Sequence, residues 1–404
     1  MSVGYNLEEL ENINMQEIIK DEDFTKIESL KLIHKYWRHR DQNYNILKYD
    51  KEHLTLDCVN TIGLFRSMIY KNNQIMAFSP PKSYQHDLFK KMYPICECVG
   101  EEFVEGTMIN VFFDKDLNDE GDWEMATRST VGGKICYFKV GEYDYKKSFR
   151  YMFLDVCESV GLNFDILPKE YCYTFVFQHP HNRIVIPFSE KNLYLVKVYK
   201  IEDYKIVDIP RENILAYLKN TQVRLPKKIE LTTYDDLYHK MQDLDDYKMV
   251  GIMINHKKTG TRTKIRNAAY EEIRLLRGNQ PKLQYRYLEL RKQNKLNDYL
   301  LYFPESRGEF SKYRDQLYKF TRNLHTNYVR CFVKKIKPLK EFQYQYRTHM
   351  YQLHQLYLQD TSNIIMFDRV KNYINDLPVA SLMYSLNYYL RKQTTDCEEQ
   401  KSGI

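Results

Sequence analysis

The spacing of apolar positions changes character twice along the chain. Over residues 7–45, Ile27, Leu30, Leu32, Ile33 and Trp37 fall at helical intervals behind an acidic opening, which predicts a helical lead-in over 1–50. From about residue 54 the texture turns to short β-branched and aromatic runs cut by Asn, Gly and Pro. These predict strands over 61–70, 74–78, 103–113, 123–130, 171–177, 183–187, 192–201 and 249–254. Two helices interrupt them: 146–160, with Phe149, Phe153, Val156 and Cys157 on one stripe, and 233–244. Past Ala268 the 3.6-residue period persists, broken near 278–281, 304–308, Pro338 and Pro378. The expected organisation is a strand-rich domain over 51–267, a helical domain over 268–392 and a disordered polar tail over 393–404, with no internal repeat.

Composition narrows the class. At 404 residues and 43% hydrophobic, the chain is long enough for two or three packed units. No apolar run approaches 18 residues, and the first residues lack a basic stretch followed by an apolar one, so the expectation is a cytoplasmic or nuclear protein without a membrane partner. The eight cysteines, at 58, 96, 98, 136, 157, 172, 331 and 397, include one Cys-x-Cys pair and no second pair at zinc-ribbon spacing. They read as reduced, mostly buried thiols, and no metal site is expected. The 36 tyrosines fit an AT-rich coding bias as readily as a function. Charge is more informative when divided along the chain: from Arg262 to Arg347 there are 21 Lys/Arg and 8 Asp/Glu, a local net of +13, so the rest of the chain, against a total of +7, sums to −6. Positive charge interleaved with aromatic rings suits a phosphate backbone and unpaired bases, although a solvated helical face leaves the same signature.

The segment richest in chemistry is Phe103-x-Glu105-Gly106-Thr107, followed by an expected hairpin that ends in Ala126-Thr127-Arg128-Ser129-Thr130. Upstream stand Phe65-Arg66-Ser67 and Ser79-Pro80-Pro81-Lys82-Ser83; downstream come the run from Tyr173 to Val185, then Met249-Val250-Gly251-Ile252 and Thr263-Lys264-Ile265-Arg266. In this order, from about Phe65 to Leu283, roughly half the chain resembles the adenylation domain of phage-type RNA ligases. Those belong to the covalent nucleotidyltransferase superfamily, and the likeness is greatest to its divergent branch in large DNA viruses. The resemblance implies an α+β fold, with an antiparallel-rich nucleotidyltransferase (adenylation-domain-like) core, here followed by a basic all-helical C-terminal domain.

The same resemblance locates departures. The family carries Lys-x-Asp/Glu-Gly, the lysine attacking the α-phosphate of a nucleotide; Phe103 occupies the motif lysine position and has no lone pair to offer. Gln178 and Val250 stand where the family places carboxylates that aid ribose or metal binding, and an amide with a valine does not replace two hard anionic ligands. What remains on the phosphate side is Arg66, Lys82, Arg128, Lys264 and Arg266, with Phe175 or Phe177 as the ring that would stack on a base. Glu105 survives and is expected to pair with Arg66, Arg128 or Lys264. Arg274, Arg277, Lys282, Arg286 and Arg291 would extend the groove along nucleic acid.

A displaced amine, from Lys82 or from Lys134 after Gly132-Gly133, would be the route back to catalysis, with ATP and Mg²⁺ as cofactors if the protein is active. Gly132-Gly133 reads better as a turn than as a phosphate cradle, because no helix start at P-loop spacing follows. His179-Pro180-His181 reads as surface punctuation without a third ligand. No Gly-x-Ser-x-Gly and no Gly-x-Gly-x-x-Gly occurs, which argues against a serine hydrolase and a Rossmann cofactor site. Three readings follow: a catalytically degenerate RNA-ligase-like module that binds RNA, another nucleic acid or a nucleotide; an active ATP-dependent RNA ligase using Lys82; and a structural, assembly or transcription-associated protein of a large virus, with a viral protein partner.

Overall fold

The computed structural model describes residues 4–10, 13–20, 24–56, 58–137 and 144–390. The chain forms two compact units that divide between Arg277 and Gly278. The sequence placed the change in texture at 267/268; helix α7 (Ala268–Arg277) falls on the first side of the division.

Three antiparallel sheets build the first unit. One has the order β1 (Gly4–Asn6), β11 (Lys205–Asp208), β10 (Asn192–Glu202), β9 (Tyr171–Gln178), β7 (Thr107–Asp114), β8 (Asp122–Ala126). The second is β12 (Lys228–Ile229), β6 (Cys98–Glu102), β13 (Gly251–His256), β14 (Arg262–Arg266), and the third β2 (Leu32–His39), β3 (Gln42–Tyr49), β4 (Met68–Lys71), β5 (Gln74–Phe78). Each sheet is closed on one face by apolar contacts that follow the two-residue period of strands. Phe175 and Phe177 of β9 point to helix α4 (Phe149–Ser159), their rings 6.2 and 5.8 Å from that of Phe153, inside a core shared with Ile109, Val111, Leu193 and Leu195. Burying rings of this size stabilises the fold by about 2 kcal/mol each. In the second sheet Ile252, Ile254 and Ile265 face Phe89 of helix α3 (His86–Met92) and Leu237 and Met241 of helix α6 (Tyr234–Gln242). The alternate residues of β13 and β14 are thereby turned to the opposite face.

The expected helical lead-in is corrected by the structure. Among the described residues of this stretch only α1 (Met15–Lys20) and α2 (Phe24–Ser29) are helical; from Leu32 the chain forms the hairpin β2–β3, in register from Leu32–Tyr49 to His39–Gln42. Its turn puts Arg40 and Asp41 both at positive φ, 50° and 57°, the geometry that matches strand twist in a two-residue loop but here lacks the Asn-Gly pair that would announce it. The strand expected at 183–187 is also absent. That stretch is a loop, and the backbone N–H groups of Val185 and Ile186 donate to a carboxylate in place of a ladder.

The described residues of the second unit form helices joined by loops: α8 (Leu283–Lys292), α9 (Leu296–Tyr302), α10 (Arg307–Tyr328), α11 (Tyr344–Gln359), α12 (Phe367–Asp376) and α13 (Val379–Leu386). The long α10 lays Phe310, Leu317, Phe320 and Leu324 inward, and Phe320 stacks on Tyr346 of α11 at 5.0 Å. Buried His349 ties α11 to α12 and α13 through Tyr373 and Ser385, each at 2.8 Å, and burial holds its pKa below the ordinary imidazole value. The expected tail over 393–404 lies outside the described residues.

Candidate anion-binding cleft

The free faces of the first two sheets, with the loops around Arg66, Lys82 and Arg128, enclose a cleft of about 680 Å³ inside the first unit. One wall is largely apolar, from Val104, Met108, Val176 and Val196. The other comes from β14 and carries Arg262, Lys264 and Arg266. Strand alternation explains this wall directly: with Thr263 and Ile265 in the core, residues 262, 264 and 266 share the cleft face. Cross-strand register places Gly251 opposite Arg266 and Met253 opposite Lys264. Gly251 has φ +143°, and a Cβ there would lie 2.1 Å from the Ile265 carbonyl oxygen, so only glycine lets β13 and β14 approach this closely.

Phe103 extends the register of β6. Its N–H donates to the Gly251 carbonyl at 3.0 Å, and its ring lies 5.8 Å from the Arg266 guanidinium. The cleft therefore presents the Phe103 ring, with the Arg266 guanidinium beside it.

The loop that carries Lys82 is fixed from behind. Buried Arg262 donates through Nε to the Pro81 carbonyl and through Nη2 to the Pro80 carbonyl, both at 2.9 Å, while the Lys82 N–H donates to Gly63 at 2.9 Å. Arg128 is held just as firmly. Its guanidinium donates to the carbonyls of Arg66 (3.2 Å) and Tyr49 (3.3 Å) and lies 4.8 Å over the Tyr49 ring. Among the described residues, Lys51, Arg66, Lys82, Arg128 and Lys264 all line the cleft without a carboxylate at ion-pair distance. Arg266 shares Glu271 at 2.7 Å, and Lys197 pairs with Asp208 at 2.5 Å. Burial, and after it the crowding of like charge, disfavours the protonated forms of these groups. Burial first, then Arg266, Lys82, Arg66 and Arg262, push Lys264 down to about 7, and burial with Arg262 pushes Arg66 down to about 10. Burial and the same neighbours lower Lys82 as well.

The acids near the cleft are all engaged elsewhere. Glu105, expected to pair with Arg66, Arg128 or Lys264, is buried away from the cleft lining and accepts from the backbone N–H groups of Val185 (2.7 Å) and Ile186 (3.0 Å). Burial raises its pKa against those two bonds, a bond from the Tyr270 hydroxyl and the charge of Arg277. Glu101 forms an ion pair with Arg211, and Glu102 accepts from the Lys227 N–H at 3.1 Å. Gln178 donates to the Glu105 carbonyl at 2.9 Å and accepts from Asn192 at 3.2 Å; Val250 is buried. Among the described residues no three His, Cys, Asp or Glu converge as metal ligands.

Other expected residues fall elsewhere. Phe175 and Phe177 are corrected from base-stacking rings to core residues, since α4 covers their face and Val176 between them lines the cleft. Lys134 is exposed and outside the lining. Arg274 pairs with Glu271. Arg277 bonds the Tyr137 hydroxyl at 3.3 Å and lies 4.6 Å over its ring. Lys282, Arg286 and Arg291 belong to the second unit, where Arg286 pairs with Glu289 at 3.1 Å and Arg291 donates to Asn375 at 2.5 Å. His179 is buried rather than superficial and bonds Asp155 at 2.9 Å. Gly132 and Gly133 form a positive-φ turn, Gly132 packed on the His39 imidazole. Sequence reasoning missed Tyr49, Lys51 and Arg262. The first two lie on and just after a strand that had been read as helix, whereas Arg262 was legible by alternation from Lys264 and Arg266.

No family model matches the chain. Over 216 residues it is 23% identical to the immediate-early protein ICP-46 homolog of Invertebrate iridescent virus 3, a match that covers 51% of this chain and 44% of the relative, so the chain spans less than half of that protein's length. Among solved structures it is similar to an archaeal ATP-dependent RNA ligase in two forms. One has a TM-score of 0.42 and 11% identity over 76% of this chain and 77% of the other. The second has a TM-score of 0.39 and 10% identity over 74% and 73%. A Naegleria gruberi RNA ligase aligns with a TM-score of 0.35 and 10% identity over 62% of this chain and 82% of that one.

Proposed function

We propose that the first unit is a phosphate-binding module for RNA, another nucleic acid or a nucleotide, built on an RNA-ligase-like core that does not transfer nucleotides. The observation that carries this reading is the convergence of Lys51, Arg66, Lys82, Arg128 and Lys264 on one cleft, none with a carboxylate at ion-pair distance among the described residues, beside Phe103, where the resemblance to RNA ligases sets the motif lysine. Desolvated cations that repel one another are costly in the empty protein and become favourable once a polyanion enters. Similarity to an immediate-early protein homolog of an iridescent virus supports a viral setting, in which the protein would act in the host cytoplasm or the virion. Binding of a single-stranded RNA measured across a salt series tests the proposal. Five phosphate contacts correspond to a slope of log K against log salt of about −3.5. A slope near zero would leave the fold as a platform for protein partners.

One observation favours a second reading, nucleotidyl transfer to a displaced lysine: the amines of Lys82 and Lys264 both line the cleft and are both shifted toward the neutral, nucleophilic form. Incubation with α-labelled ATP and Mg²⁺ or Mn²⁺ is expected to leave no alkali-stable, acid-labile label of the phosphoramidate kind on the protein. A label that disappears in Lys82→Arg or Lys264→Arg would establish this reading and displace the first.

A further inference from the structure

Resemblance to nucleotidyltransferases implies a divalent ion travelling with the polyphosphate, and the residues present do not fit that ion. Mg²⁺ is held through carboxylate oxygens together with substrate phosphates. Of the two carboxylates lining the cleft, Glu101 is paired with Arg211 and Glu102 caps the Lys227 N–H; Glu105 is withdrawn behind the wall by two backbone amides. Freeing Glu101 would break an ion pair, and freeing Glu105 would leave buried N–H groups without acceptors, which leaves Glu102, bonded to one exposed N–H, as the single acid of the three within reach of a cation here. The cleft offers instead guanidinium and ammonium groups at fixed positions. Arg128 is anchored on two carbonyls, Lys82 sits on a loop clamped by Arg262, and Lys264 and Arg266 share one face of a paired strand.

A dication entering here would meet five positive groups with no carboxylate at ion-pair distance, in a setting where burial first and like charge second already disfavour the protonated forms of Lys264, Arg66 and Lys82. Mg²⁺ on a triphosphate would also cancel much of the charge that draws the ligand in, and would occupy the β and γ oxygens that arginine forks grip.

Resting on the phosphate-binding reading above, we infer that the cleft takes a linear polyphosphate in its metal-free form, as a free nucleoside triphosphate or as the 5′-triphosphate end of an RNA, and that Mg²⁺ competes with the protein for it. The cationic side chains stand where a metal would otherwise neutralise the phosphates. Affinity then depends on free polyphosphate and falls as Mg²⁺ rises.

The test uses the full chain and three ligands: ATP, an RNA oligonucleotide with a 5′-triphosphate, and the same RNA with a 5′-hydroxyl. Each is titrated at constant ionic strength in EDTA and in saturating Mg²⁺. Expected is about tenfold weaker binding of ATP and triphosphate RNA in Mg²⁺, beyond the change in the 5′-hydroxyl RNA, which reports general screening. Tighter or unchanged binding of the polyphosphates in Mg²⁺ overturns this inference and leaves the phosphate-binding reading standing. Failure of all three ligands in both buffers removes both. Of the two sources, the free nucleotide is assigned if ATP binds as tightly as triphosphate RNA, and the chain end if the RNA binds tighter.

Discussion

Replacing Arg66 and Lys264 together by methionine is expected to weaken binding of a 5′-phosphorylated RNA by two to three orders of magnitude while leaving the protein at least as stable as its parent. Each side chain supplies hydrogen bonds from a charged donor, about 1.5–3 kcal/mol apiece, and at the lower end of that range losing both amounts to roughly 3–4 kcal/mol. Stability moves the other way because both cations are held against burial and like charge. For Lys264 the folded-state pKa of about 7 lies below the ordinary lysine value of 10.5, so the protonated form is penalised in the native protein. That penalty is complete below pH 7 and is relieved as pH rises toward 10.5. The parent should therefore gain stability across that window, and Lys264→Met alone should lack the gain. RNA affinity of the parent should decline as pH passes 7 and the amine loses its proton. Denaturant midpoints and binding isotherms over pH 6–9 check both. A variant that loses binding by unfolding, or keeps binding within threefold, would count against the cleft as the phosphate site.

The second large effect is structural. Glu124→Gln should destabilise the first unit by about 3 kcal/mol at pH 7. The Glu124 carboxylate is fully buried and accepts from Arg150 at 2.6 Å, the Met125 N–H at 2.8 Å and His39 at 3.0 Å, with Arg40 at 3.7 Å. Although burial opposes ionisation, the His39 bond, the Arg150 charge and the amide hold its pKa down to about 2. Because the folded value lies below the unfolded one, this stabilisation is present above about pH 4.5 and lost as pH falls toward 2. The gap between parent and variant in urea midpoints should close over that interval; a gap that persists at pH 2 would mean packing, not charge, is responsible. The site would feel the loss, since Glu124 lies on β8, whose following turn, closed by Thr127 N–H to the Thr130 carbonyl at 2.9 Å, carries Arg128.

Local patterns were legible where one rule decided the outcome. Period-two spacing from Thr263 to Arg266 puts both cations on one face, and the stripe Phe149, Phe153, Val156 in α4 announces a buried helix side. The same rule paired Phe175 with Phe177 but could not say which face they share; that depended on α4 covering one side of the sheet. The hairpin β2–β3 was hidden because Ile27, Leu30 and Ile33 mimic a helical stripe and the Arg40–Asp41 turn carries no glycine. Glu105 could not be placed at all. Its partners are amides of residues 185 and 186, and a backbone N–H leaves no mark in a sequence.

That carboxylate also bears on any attempt to engineer transferase chemistry into the chain. Placing an amine at position 103 would not suffice, because Glu101 and Glu105 each brace the architecture. Recruiting one as a ligand would undo a brace, so new acids would have to be installed alongside them. The scaffold resists single steps in that direction: its acids serve as masonry, and a transferase site would take several simultaneous changes rather than one.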